Sequence, residues 1–147
     1  MQMAQLSSQH RREIDRSIAI AKAQWTKDLH HPSPIIQSLG RILLFLRQNG
    51  GASRQARHVA SLAFVMGEQV VQHAGWRWMS VSEDGSVNPA IVSPDGRRAC
   101  LVVDAVTLLL VDSSLGTVAR LFQACVDGQV HSLVISFDPE IATVLAS

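Results

Sequence analysis

The chain has 147 residues, with 13 basic against 12 acidic side chains, so its formal charge of +1 offers no overall field to nucleic acid or an anionic membrane. That length suits a single domain burying roughly two thirds of its unfolded surface, which removes the need for disulfides or a structural metal. Only 17% of residues are charged, against about 25% in ordinary domains, and 47% are hydrophobic, a surplus that points to apolar surface covered by a partner or a second copy.

Ile14, Ile18, Ala21, Trp25 and Leu29 recur at helical spacing with charged residues between them, which predicts an amphipathic helix over residues 9–29. His30-His31-Pro32-Ser33-Pro34 ends it, because a proline disfavours helix at the residue before it. Ser33 and Pro34 then read as cap and first turn of a second helix, stopped by Gly50-Gly51. Its apolar set (Ile35, Ile36, Leu39, Ile42, Leu43, Leu44, Phe45, Leu46) is wide enough to imply burial on more than one side. Ser53 can cap a third helix over residues 54–74, with Val59, Leu62, Ala63, Met66 and Val70 inward and Gly75 as its left-handed stop.

The period then changes from 3.6 to 2. Residues 76–83 alternate as a strand, Asp84-Gly85 is a hairpin signal, and residues 87–93 form a second strand in which Pro89 hints at an edge or bulge. A turn at Asp95-Gly96 leads into a third strand, completing an antiparallel meander. Residues 105–111 fit either strand or helix; the helical reading, with the Asp104 carboxylate as cap, is preferred. Ser113 or Ser114 opens a further helix closed by Gly128, residues 130–137 read as a last strand, and Asp138-Pro139-Glu140 as the start of a terminal helix. The expected fold is α+β: one domain over 1–147, a helical part at 1–52 and an α+β core at 53–147, with helices on one face of the meander plus a later strand.

Chemistry is sparse. The chain has no G-x-S-x-G elbow, P-loop, dinucleotide fingerprint or H-E-x-x-H pair, so no catalytic residue is assigned. Cys100 and Cys125, the only cysteines, are not a C-x-x-C pair and read as buried free thiols. His30 and His31 are chain neighbours that point apart, so no metal and no cofactor is expected. His58 and Glu68 are about 15 Å apart in rise along one helix, too far for an acid–base pair. Glu68 shares a helix face with Gln72, and with His73 and Arg77 nearby it makes either a structural ion pair or a small polar site. Asp104 interrupts an apolar run and must cap, pair with an arginine or act as an acid of raised pKa, since an unpaired buried charge is very costly. Trp76 and Trp78, two apart on a strand, share a face. They either fasten the third helix to the sheet or expose an indole edge for recognition.

Leu62-Ala63-Phe64-Val65-Met66-Gly67-Glu68, then Gly75-Trp76-Arg77-Trp78, Asp84-Gly85 and Pro94 between two apolar strands resemble a bacterial family of domains without an assigned activity. Its members carry a Leu-Gly-x-x-x-Gly-Glu helix end, then Gly-x-x-Trp and an acidic Gly turn. The likeness spans about residues 55–112 and singles out Gly67, Glu68, Gly75 and Trp78. It implies an α+β domain and no particular reaction. Ala63 replaces the first glycine, Asp104 stands where a proline is common, and the basic pair expected near Val111-Asp112 is absent. Those departures weaken the carry-over of a positively charged site.

The functional expectation is a non-enzymatic protein-interaction module (adaptor, chaperone-like or immunity-type) using Glu68, His73, Trp76, Arg77 and Trp78, or a homodimer seamed by the second helix. The alternatives are a small-ligand sensor with an indole-lined pocket, or a small hydrolase or transferase using Glu68 or Asp104. The N-terminus lacks the apolar stretch of a signal peptide, and Ala99–Val111 is shorter than the ~20 residues of a membrane helix, so a cytoplasmic location is expected.

Overall fold

The computed structural model describes residues 2–25, 32–49, 56–136 and 143–145. In chain order these form β1 (Gln2–Gln5), α1 (Ser8–Trp25), α2 (Pro32–Asn49), α3 (Ala56–Ala74), β2 (Arg77–Glu83), β3 (Ser86–Val92), β4 (Arg98–Cys100), α4 (Val102–Val111), a 3-10 turn at Ser113–Leu115, α5 (Val118–Asp127), β5 (Ile135–Ser136) and β6 (Thr143–Leu145). The fold is α+β. Five antiparallel strands run in the order β5-β4-β3-β2-β1, and short β6 lies parallel to β1.

The meander β2-β3-β4 forms where the turn residues place it. Asp84 and Gly85 both take positive φ (51° and 83°), the conformation a two-residue hairpin demands. At the second turn Asp95 Oδ1 accepts from Ser93 Oγ at 2.6 Å and from the Arg97 N–H at 3.0 Å, which holds its carboxyl below the usual carboxylate range. Pro89 sits opposite Ser80 of β2, at a point where β3 has no other neighbour, because β4 pairs only with Ile91 and Val92. Its missing N–H therefore leaves no ladder bond broken.

The sheet is larger than a three-stranded meander with one later strand. β1 was not expected; it adds to β2 with Met3 opposite Val81, so the segment before α2 is not wholly helical. Four residues flanked by glutamines carry no alternation to read, and the strand exists because β2 presents an unpaired edge. The last expected strand shortens to Ile135–Ser136, paired with β4.

α3 lies at the centre of the helical layer, with α1, α2, α4 and α5 all packed on it. The main core joins Ile14, Leu39, Val59, Met66 and Val70 from the helices to Trp78, Ile91 and Cys100 from the sheet. Met3, Met79, Val81, Ala90, Val92 and Ala99 form a second buried cluster. The sheet is thus apolar on both faces, which explains why β2 reads as nearly continuous burial from Trp78 to Val81.

Helix ends differ from expectation in three places. α2 begins at Pro32, one residue before Ser33. α4 begins at Val102, where the Leu101 carbonyl already accepts from the Ala105 N–H at 2.8 Å, so Asp104 falls inside the first turn, exposed, and caps nothing. The helix expected from Ser113 is broken by Gly116 at φ +103°; α5 starts afresh with Thr117 Oγ1 accepting from the Arg120 N–H at 3.2 Å. Gly75 and Gly128 end α3 and α5 with positive φ, as their positions implied. The expected extension of α1 over 26–29, the His30-His31 loop, the Gly50-Gly51 stop, the Ser53 cap and the 138–140 helix start lie outside the described residues.

Candidate functional site

Both indoles are buried, Trp76 to 3% and Trp78 to 7% exposure. Trp78 is seated on α3. Its ring lies so close to Gly67 that a Cβ there would stand 2.5 Å from Cη2, and Phe64 meets it edge-on at 6.2 Å between centroids. The Trp78 Nε1–H donates to Glu68 Oε2 at 3.1 Å. Phe64, Gly67 and Glu68, spaced at i, i+3 and i+4, form a helical seat for one side chain. The motif Gly67-Glu68…Trp78 is therefore a helix-to-sheet joint.

Trp76 is held differently. The Arg98 guanidinium lies over its ring, 5.2 Å from the centroid, and also donates to the Ala124 carbonyl of α5 at 3.5 Å. One side chain on β4 so links the start of β2 to the last turn of α5, where cationic donors suit the free carbonyls. Beneath it, contact with Cys125 and complete burial push the Cys100 thiol well above its ordinary range. Both thiols are free and buried.

The five residues singled out from the sequence differ in exposure. Glu68 is half-buried with its carboxylate on Trp78, whereas His73 and Arg77 are exposed. Among the described residues no ion pair joins Glu68 to Arg77, whereas Arg11 and Asp15 pair at 3.9 Å on α1. Nor do the described residues include a group of three or more His, Cys, Asp or Glu placed to hold a metal ion.

Among the described residues a cavity of about 350 Å³ lies between α2 and the start of α5. Gln37, Gly40, Arg41 and Leu44 line it from α2, a stripe at i, i+3, i+4 and i+7, and Gly116 and Thr117 form the facing wall. Leu44 is 50% exposed, and the neighbouring Phe45 62%. The inward side of the same helix (Ile35, Ile36, Leu39, Leu43, Leu46) is buried in the core. The breadth of the apolar set thus reflects one face in the core and a second that stays accessible.

Two arginines set the potential of this groove. Arg47 turns away to donate to the Leu109 and Leu110 carbonyls, closing the C-terminus of α4. Arg41 is exposed and makes no ion pair among the described residues. α2 contains no Asp or Glu, the facing wall is Gly116, Thr117 and Val118, and the positive end of the α5 dipole adjoins them. The groove's lining is mostly apolar, and Arg41 is its exposed charged side chain. It is not legible in the sequence because its walls lie about seventy positions or more apart in the chain.

No single described helix is long and apolar enough to cross a membrane. No protein-family model, curated protein or solved structure matches the chain.

Proposed function

We propose that the chain works by contact with another protein, through the accessible face of α2 and the groove beside it. The observation behind this reading is the exposure of Leu44 on the rim of a 350 Å³ groove that presents no nucleophile beside a base. Burial of such a face contributes about 25 cal/mol per Å² before ordering costs, and a charged rim sets orientation and encounter rate. An adaptor, a chaperone-like factor and an immunity-type partner all fit, in the cytoplasm, and the family resemblance adds nothing that favours an enzyme. The indoles serve this role indirectly, by fixing the sheet to α3 and α5.

Volume gives a small-ligand reading some support, since ligand pockets begin at about 300 Å³. The walls here, however, hold no aromatic ring and only one free charged group.

A photo-crosslinking residue placed at position 44, in cells that make the protein, tests the contact reading. Adducts with one defined protein are expected there and not from position 72, an exposed site on α3. Equal labelling from both positions would remove the support for this face.

A further inference from the structure

Gly40 sits inside α2 with no described atom within 4 Å of where its Cβ would be. A glycine in a helix interior is the least favourable residue there short of proline, and a missing side chain usually makes room for a neighbour. Among the described residues no neighbour is close enough to require it. The space opens into the groove, on the stripe of Gln37, Arg41 and Leu44. A small residue at such a position lets a second helix cross closer than the usual 8–10 Å between axes.

The identity of that helix follows from charge. Two copies of α2 crossing about a two-fold axis at Gly40 would bring Arg41 against its own copy, and α2 supplies no carboxylate to relieve the repulsion. A foreign segment bearing Asp or Glu would meet Arg41 and the N-terminal end of α5 instead. We infer that the groove takes an amphipathic α-helix of another protein, crossing α2 at Gly40 with carboxylates set against Arg41 and the start of α5. This rests on the contact reading above and adds the chemistry of the partner.

The test is selection from a displayed library of helical peptides against the full chain, followed by anisotropy titration of the enriched peptides. Enrichment of acidic helices is expected, with affinity that falls as salt rises. Gly40→Leu, whose Cβ meets no described atom within 4 Å and whose fold is checked by circular dichroism, is expected to weaken them by about tenfold or more; Arg41→Glu is expected to do the same and to be rescued by exchanging a peptide Glu for Lys. Peptides lost with Gly40→Leu but showing no acidic bias and no response to Arg41→Glu would overturn the inference and leave the contact reading standing. A dimer of the chain that Gly40→Leu dissociates would overturn it in favour of self-association. If no peptide depends on position 40 and position 44 yields no adduct, the contact reading fails and the inference falls with it.

Discussion

Gly67 and Trp78 are matched as hollow and filling. A methyl group at position 67 would come within 2.5 Å of Cη2 and 2.9 Å of Cζ2 of the indole, and within 3.2 Å of Val102 Cγ1. Rigid ring atoms on one side and α4 on the other leave little room to yield. Gly67→Ala is therefore expected to destabilise by about 1–3 kcal/mol despite its better helix propensity. Urea denaturation followed by circular dichroism measures this; a stability gain would mean that the seat is looser than described.

The hydrogen bond from Trp78 to Glu68 has a value that can be isolated. Glu68→Ala strands a largely buried indole N–H and is expected to cost about 1 kcal/mol, whereas Glu68→Gln keeps an amide oxygen in reach and costs less. Equal losses for the two variants would show that the carboxylate's charge, and not its acceptor oxygen, is what Trp78 uses.

At Gly40 stability and binding are expected to part company. Gly40→Ala meets no described atom within 4 Å, so it should stabilise the chain by about 0.5–1 kcal/mol by helix propensity alone. A thermal melt checks the sign. A destabilised variant would mean that the position is already occupied within the chain.

Gln69 is 1% exposed, and its Oε1 has no hydrogen-bond partner among the described residues. An unsatisfied buried amide oxygen is a cost, so near-isosteric Gln69→Met is expected to raise stability by about 1 kcal/mol. A loss in the urea midpoint would instead reveal a partner for that amide.

His131 supplies a pH dependence. Its Nδ1 accepts from the Leu133 N–H at 3.1 Å, and partial burial, aided by repulsion from Arg120, lowers its pKa. The unfolded chain takes up the proton near pH ~6.5 while the folded chain resists it, so stability is full above that point and falls as pH drops through the lower folded value. Amide exchange at Leu133, corrected for its intrinsic pH dependence, should lose protection between neutral and mildly acidic pH. His131→Asn should flatten that dependence.

Local chemistry made much of this fold readable. Asp84-Gly85, Gly75 and Gly128 marked their turns because few residues other than glycine and Asp or Asn take positive φ easily, and those turns placed the meander and two helix ends. Asp104 misled because a carboxylate before an apolar run looks like a cap, yet α4 had already started on the Leu101 carbonyl. The tryptophan pair was legible as a fastening but not in its parts: the seat on Gly67 follows from helix spacing, whereas Arg98 reaches Trp76 from another strand. The groove depends on Gly116 breaking what looked like one continuous helix, and no periodicity announces where α5 comes to rest against α2.

The register of β1 has a bearing on how the molecule assembles. Gln2 pairs with Ser82 on one side and with Thr143 on the other, so this strand joins parts of the chain made early, midway and late. The β2–β3 hairpin can close quickly across two residues, but that seam must wait for loops of great length to be drawn shut. Closing this seam is therefore expected to lag behind the hairpin, leaving the flank of β2 bare until β1 arrives.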